Sequence, residues 1–354
     1  MSSEIFAALA QLEKERGIPQ TYMIDKITQA LVAAYKKDKE GYTDNVFVEA
    51  HEGGFEMYAQ KEVVDEVCSP ATEILLDAAK GIDRNAAVGD LVNVPIKTQD
   101  FGRIAAQTAK QVIIQGIREA ERGMVYDTFS SKEHEILTGT VLRIEPVSGD
   151  ITVRIGNGTD RTEALLSATE QVRGERFTEG DMIRVYVVEV RRSTRGPQVI
   201  VSRTHPYLVK RLFELEVPEI ESGLVEIKSV AREAGSRTKL AVCAKEENID
   251  PVGACVGTKG GRVGAVVEEL HGEKMDIVVW SEEPEKFIAS ALSPSDVVSV
   301  TVLPGSQKAC RVIVPDDQLS LAIGKEGQNA RLAAKLTGYK IDIKPQSKAD
   351  EQAQ

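Results

Sequence analysis

Apolar residues recur at helical spacing in three stretches of the first 130 residues, and beyond them they alternate in short runs. Glu4–Glu15 and Met23–Lys39 read as amphipathic helices, broken apart by Gly17-Ile18-Pro19. Strand-like pieces follow at Val46–Ala50 and Glu56–Ala59. Ala105, Ala109, Val112, Gly116, Ala120 and Met124 then form a stripe that Ile113 and Ile117 widen, which predicts one long helix over Phe101–Phe129. That helix leads to the polar segment Ser130-Ser131-Lys132-Glu133, so residues 1–130 are read as one α/β domain.

From Ile136 the pattern changes to five strand-like runs: Ile136–Ile144, Ile151–Ile155, Thr162–Leu166, Met182–Val190 and Gln198–Val201. Ser148-Gly149-Asp150, Gly156-Asn157-Gly158 and Glu179-Gly180-Asp181 punctuate them. Five short strands with turn chemistry between them predict a small closed barrel of OB type over residues 131–202.

Beyond residue 203 the chain repeats itself. Gly257-Thr258-Lys259-Gly260 returns as Gly324-Lys325-Glu326-Gly327, an offset of 67. Gly272-Glu273-Lys274-Met275-Asp276-Ile277 returns as Gly338-Tyr339-Lys340-Ile341-Asp342-Ile343, an offset of 66. Two motifs recurring in order at nearly the same offset indicate duplicated modules, placed at 203–283 and 284–345, with a polar tail at 346–354. In the first copy the strands are Val225–Ala231 and Lys239–Ala244, followed by a short helix at Pro251–Val256, a helix at Gly261–Leu270 and a strand at Met275–Trp280. The second copy has strands at Val297–Leu303 and Ala309–Val314, helices at Gln318–Ile323 and Gln328–Leu336, and a strand at Lys340–Ile343. Helix, two strands, short helix, G-x-x-G, helix, strand is an order that resembles the bacterial-type (type II) KH fold.

The chemistry of G-x-x-G suits a nucleic-acid backbone. Glycine has no Cβ, so the chain turns sharply and a sugar-phosphate approaches closely. The helix that follows offers free N–H groups and the positive end of its dipole. Lys259 and Lys325 add charge in the loops, with Arg262 and Arg331 on the next helices. The candidate RNA contacts are Val256, Gly257, Thr258, Lys259, Gly260 and Arg262, and Ile323, Gly324, Lys325, Glu326, Gly327, Gln328, Asn329 and Arg331. Glu326 should repel phosphate and weaken the second copy. A P-loop is excluded because the G-x-x-x-x-G-K-[ST] spacing is missing and Gly260 stands where a Mg²⁺-binding hydroxyl belongs. Two further basic groups, Arg191, Arg192 and Arg195 before Gly196-Pro197, and Arg232, Arg237 and Lys239 around Gly235, are either RNA contacts or solvated turns.

A net charge of −11 is awkward for a nucleic-acid binder, but its distribution changes the picture. Residues 1–130 carry −7, 131–202 carry −1, 203–290 carry −4 and 291–354 carry +1. Cys68, Cys243, Cys255 and Cys310 lie far apart, as do the four histidines, so neither a disulfide frame nor a metal site is expected. Cys255 is read as a small buried hydrophobe and Trp280 as a packing residue. No run of apolar residues is long enough for a membrane span, and Met1-Ser2-Ser3-Glu4 opens no export signal. Residues 1–130 hold no D-x-D, H-x-E or P-loop pattern, which argues against an RNA-processing enzyme. The expectation is a cytoplasmic, monomeric, non-enzymatic protein without cofactor.

Several segments resemble the NusA family of bacterial transcription factors. They are Glu216-Val217-Pro218-Glu219-Ile220, Ala231 through Lys239, Asp250 through Gly257, Leu319 through Gly324 and Gly327 through Ala333, with Ala106 through Ile113 similar to that family's long connecting helix. The resemblance implies an N-terminal domain that docks on RNA polymerase near the RNA exit channel. It further implies an S1-type OB barrel and two KH domains forming one surface for nascent single-stranded RNA, with other antitermination factors as further partners. The implied role is regulation of pausing, intrinsic termination and antitermination; the alternative is a ribosome-linked protein built from the same modules. Two departures stand out: Leu165-Leu166-Ser167 replaces the histidine-bearing turn of S1-type domains, and Tyr339 stands where the family has tryptophan.

Overall fold

The computed structural model describes residues 2–38, 44–51, 54–96, 102–158, 161–193, 196–305 and 308–348. The chain divides into two compact units, Met1–Met124 and Val125–Gln354.

In the first unit, α1 (Ser2–Arg16) and α2 (Gln20–Asp38) are separated where Gly17 takes a positive φ of 67° and Pro19 follows. A four-stranded sheet comprises β1 (Val46–His51), β2 (Gly54–Val64), β3 (Glu73–Leu75) and β4 (Leu91–Pro95), with the short α3 (Leu76–Lys80) after β3. The long β2 is its spine, antiparallel to β1 and β4 and parallel to β3. Alternation in β1 points Val46 and Val48 inward and Phe47 outward. The inward set packs with Leu9, Ile18, Met23, Ile27, Leu31, Met57 and Ala59. The helix α4 (Gly102–Ser130) adds Val112, Ile113, Ile117 and Ala120 to that core. Gly116 permits close approach: a Cβ there would lie 3.1 Å from the Met23 thioether. The elements β3, α3 and β4 have no counterpart in the sequence reading, since each is too short to show a period.

The second unit begins with a closed barrel of β5 (Ile136–Ile144), β6 (Ile151–Ile155), β7 (Thr162–Leu166), β8 (Met182–Arg191) and β9 (Gln198–Ser202), ordered β5-β6-β7-β9-β8. Val141, Val153, Ile155, Leu166, Val185, Val187, Val199 and Val201 fill it, and Phe129 from the last turn of α4 joins this core. Gly139 in β5 is demanded by packing, because a Cβ would sit 2.5 Å from Val153 Cγ1.

Two α/β modules follow. The first comprises α5 (Pro206–Glu216), α6 (Pro218–Glu221), β10 (Val225–Glu233), β11 (Arg237–Ala244), α7 (Pro251–Val256), α8 (Gly261–Glu269) and β12 (Lys274–Val279). The second comprises α9 (Pro284–Ala291), β13 (Ser299–Val302), β14 (Ala309–Val314), α10 (Leu319–Ile323), α11 (Gln328–Thr337) and β15 (Lys340–Pro345). In both, an antiparallel pair is extended by a parallel third strand. Proline at N1 starts α5, α7 and α9, and Asp250 caps α7 by accepting from Val252 N. The core of the second module does not stop at its boundary: Phe287, Ile288, Leu292, Val312 and Leu332 pack with Ala231, Ala241 and Val278 of the first.

Candidate nucleic-acid interface

The two G-x-x-G loops are superimposable in backbone terms. Gly257 and Gly324 have φ/ψ of 72/175° and 76/170°, a region that only glycine adopts without strain. Lys259 (55/27°) and Glu326 (53/26°) are left-handed, as are Gly260 (75/17°) and Gly327 (72/16°). Gly257 N donates to Gly253 O and Gly324 N to Ser320 O, both at 2.9 Å, closing the short helices. No side chain caps α8 or α11; the N–H of their first residues, Gly261 and Gln328, donates back to Thr258 O and Lys325 O, so each helix start offers an anion the positive end of its dipole. Thr258, Lys259, Lys325 and Glu326 are exposed at the loop tips, while Val256, Gly257, Gly260, Gly324 and Gly327 are half-buried beneath them. Exposed Leu321 and Ile323 present apolar surface beside the second loop.

The structure redistributes the other candidates. Arg262 and Asn329 occupy equivalent positions, and both brace their loop from behind. Arg262 Nη1 donates to Ala254 O at 2.7 Å and to Glu219 at 2.8 Å. Asn329 Nδ2 donates to Ala322 O and Leu292 O, each at 3.0 Å. These contacts explain the leading glycines: a Cβ on Gly257 would lie 2.7 Å from Arg262 Cγ, and one on Gly324 would lie 2.8 Å from Asn329 N. Asn329 is buried, so its reading as an RNA contact is corrected to that of an internal brace.

Arg232 and Lys239 are corrected likewise. Both are buried, because their strands pack inward even though the tip of the hairpin at Gly235 and Ser236 is exposed. Arg232 grips the equally buried Glu273 with Nε and Nη2, and donates through Nη1 to Arg203 O and His205 O. Lys239 pairs with Asp276 and donates to Ser293 O, and Arg237 grips Asp276 through Nε and Nη2. Burial alone would raise the Asp276 carboxyl, but its hydrogen bonds with Arg237 and Lys239 outweigh this and hold it below the ordinary range. Arg331 and Gln328 are engaged by Glu233, at 2.6 and 2.9 Å. The Arg331 hydrogen bond is the largest influence holding the Glu233 carboxyl below the ordinary range. Arg191 pairs with Glu189, and the Arg192 guanidinium lies 4.3 Å over the Tyr126 ring. Arg195 falls outside the described residues.

The barrel adds a feature that the sequence reading missed. A groove of about 740 Å³ runs beside Thr138, Thr140 and the exposed Met182, and is lined by Lys132, Arg154 and Arg161, with no carboxylate in the lining among the described residues. Arg154 and Arg161 have no carboxylate partner among the described residues. The only signal in the sequence was outward alternation of Arg154 in β6, and closure of the barrel was needed to gather the rest. The barrel's own aromatics offer no exposed stacking surface. Tyr186 is buried and stacks on His205 with centroids 4.5 Å apart, and Phe177 packs against Arg203 and His271. Burial pushes the His205 pKa down. Burial likewise pushes the Cys255 thiol up to about 11, consistent with an inert packing residue. Among the described residues, no group of three or more His, Cys, Asp or Glu could hold a metal ion, and no helix is long and apolar enough to cross a membrane.

A five-stranded barrel, two repeated α/β modules and two matched glycine loops ahead of uncapped helices define a protein assembled from RNA-binding modules. Comparison with known families agrees: residues 130–202 match the S1 RNA binding domain, 203–280 the NusA-like first KH domain, 284–351 the NusA-like second KH domain and 4–123 the NusA N-terminal domain. The chain belongs to the NusA family. It is 53% identical over 352 residues to the transcription termination/antitermination protein NusA of Halalkalibacterium halodurans, covering 99% of this chain and 90% of that one. It is 52% identical to the protein of that name from Bacillus subtilis, covering 99% and 93%. The Thermus thermophilus protein of that name is 41% identical, with 96% and 89% covered.

Proposed function

We propose that the chain is a transcription elongation factor that binds RNA polymerase and nascent single-stranded RNA, and so regulates pausing, intrinsic termination and antitermination. In this reading, residues 1–130 dock on polymerase, and the barrel at 131–202 and the KH modules at 203–283 and 284–345 hold the transcript. It acts in the cytoplasm as a monomer and performs no chemistry of its own. The observation that carries the reading is the pair of loops with one backbone geometry, each followed by an uncapped helix, in a chain matched along nearly its whole length by termination/antitermination proteins. The exposed loop residues and the positive ends of the two helix dipoles favour phosphate contact, and Leu321 and Ile323 favour apolar contact with bases.

The test is pause lifetime in a purified transcription assay with a matched polymerase, alongside RNA affinity. Intact protein is expected to alter pausing. A chain lacking residues 1–124 should keep RNA binding and lose the effect on pausing; the cut precedes Val125 so that Phe129 remains in the barrel core. Replacing Thr258 and Lys259, and also Lys325 and Glu326, with aspartate pairs should weaken RNA binding by about 10-fold or more, since one unfavourable phosphate contact is worth about 1 kcal/mol or more. Unchanged RNA affinity in that folded fourfold variant would overturn the loop assignment.

A further inference from the structure

We infer that Glu233 is a latch that sets the spacing of the two G-x-x-G loops, so that a strand longer than one module is gripped by both at once. The inference rests on the reading of these loops as phosphate-binding elements.

Glu233 ends β10 in the first module, at the turn into β11. Its Oε1 accepts from Arg331 Nε at 2.6 Å and its Oε2 from Gln328 Nε2 at 2.9 Å, both in the second module. Gln328 Nε2 also donates to Ser236 Oγ, on the same turn, at 2.8 Å. Gln328 is the first residue of α11, directly after Gly327, and Arg331 lies one turn further. Arg331 Nη1 in addition donates to Glu326 O, within the loop itself, at 3.1 Å. One hairpin of the first module thus holds the loop and the helix start at which the second module would receive a phosphate.

The hairpin can serve as a fixed reference because its other side is wedged. Arg232, beside Glu233, is locked in its buried pair with Glu273, and Glu273 also accepts from Gly235 N at 2.8 Å. Gly235 has a φ of +76°, and a Cβ there would lie 2.4 Å from Val172 Cγ1 of the barrel. Linked sites gain affinity through effective concentration, which is greatest when their spacing matches the ligand, and pre-ordering lowers the cost of binding. A latch therefore acts on RNA that reaches both loops and leaves RNA that fills one loop alone.

This separates the latch from simple charge. A carboxylate that merely stood near RNA would repel it, and its removal would tighten the binding of every RNA. The experiment uses the full chain, with labelled single-stranded RNAs of about four nucleotides, one module's worth, and about ten nucleotides, enough for two. Glu233→Ala is expected to weaken the longer RNA by about 5- to 10-fold while leaving the shorter within about twofold. Glu233→Gln, which keeps an acceptor oxygen and the side-chain shape, should lose less. Ser236→Ala, which changes no charge and removes the second acceptor of Gln328 Nε2, should show a smaller loss with the same length dependence. An equal loss for both RNAs, tighter binding of both, or no change in either would overturn the latch. If Glu233→Ala lowers the melting temperature enough to obscure the reading, the Ser236→Ala variant decides. Failure of the underlying loop reading shows separately, as indifference of both RNAs to the aspartate pairs.

Discussion

Gly257 and Gly324 lead their loops, and two independent constraints act on each. The backbone is at a positive φ with extended ψ, and the space a Cβ would fill is already occupied by Arg262 or Asn329. Gly257→Ala or Gly324→Ala is therefore expected to cost about 1–3 kcal/mol and to weaken RNA binding, read by a denaturant midpoint and a titration. An alanine that leaves both unchanged would show that the loop can relax into another shape. Asn329 illustrates a different point at this scale. A polar residue beside a loop glycine reads as a ligand contact, yet its amide satisfies carbonyls at the end of α10. Helix ends carry unpaired carbonyls, and a nearby side chain that pairs them is as valuable to the fold as one that binds ligand.

Among the elements, the barrel strands distribute charge in a way no single strand reveals. β6 places Arg154 outward, the turn after it supplies Asn157 and Arg161, and the turn after α4 supplies Lys132. In a chain of net charge −11, a groove lined among the described residues by three cations and no carboxylate is a local field of opposite sign. Replacing Arg154 and Arg161 with glutamate in the full chain is expected to reduce RNA affinity and to lower the salt dependence of binding by about one to two phosphate contacts. The check is a titration series over salt concentration. An unchanged slope would remove this groove from the RNA surface and leave binding to the KH loops.

Across the second unit, buried ion pairs and shared apolar packing join what the chain lays out as separate modules. Arg203 donates to both oxygens of Glu175 at 2.6 and 2.7 Å, and it reaches Glu269 on α8 and the carbonyl of Arg184 on β8. The Arg203 and Glu175 side chains are 1% and 2% exposed. Burial opposes the Arg203 charge, yet the hydrogen bonds and charges of Glu175 and Glu269 outweigh it and raise the pKa. Arg203→Ala would strand a buried carboxylate, at an expected cost of about 3–5 kcal/mol. Urea unfolding followed by two probes, one in the barrel and one in the first KH module, would also show whether their transitions separate. Coincident transitions at the original midpoint would mean that apolar packing alone joins them.

Most of the elements were legible in the sequence because their signals are local. The periods of α2 and α4, the alternation of β5 to β9, and the glycine and proline breaks all depend on residues a few positions apart. The repeat also exposed the paired loops. The short β3 and β4 left no such mark, as three to five residues in a half-exposed sheet edge show no period. Partners and burial were decided by the tertiary structure. Arg331 meets a carboxylate 98 positions away, and Arg232 one 41 positions away. Arg232 and Lys239 look solvated beside Gly235 until the sheet packs against the neighbouring elements. The sequence by itself determined the modules, their order and the paired glycine loops, because turn chemistry and periodicity act between near neighbours. Only the folded chain decided which cations remain open to an anion and which are committed to internal carboxylates, because that choice depends on distances set by closure of the barrel and docking of the two KH modules.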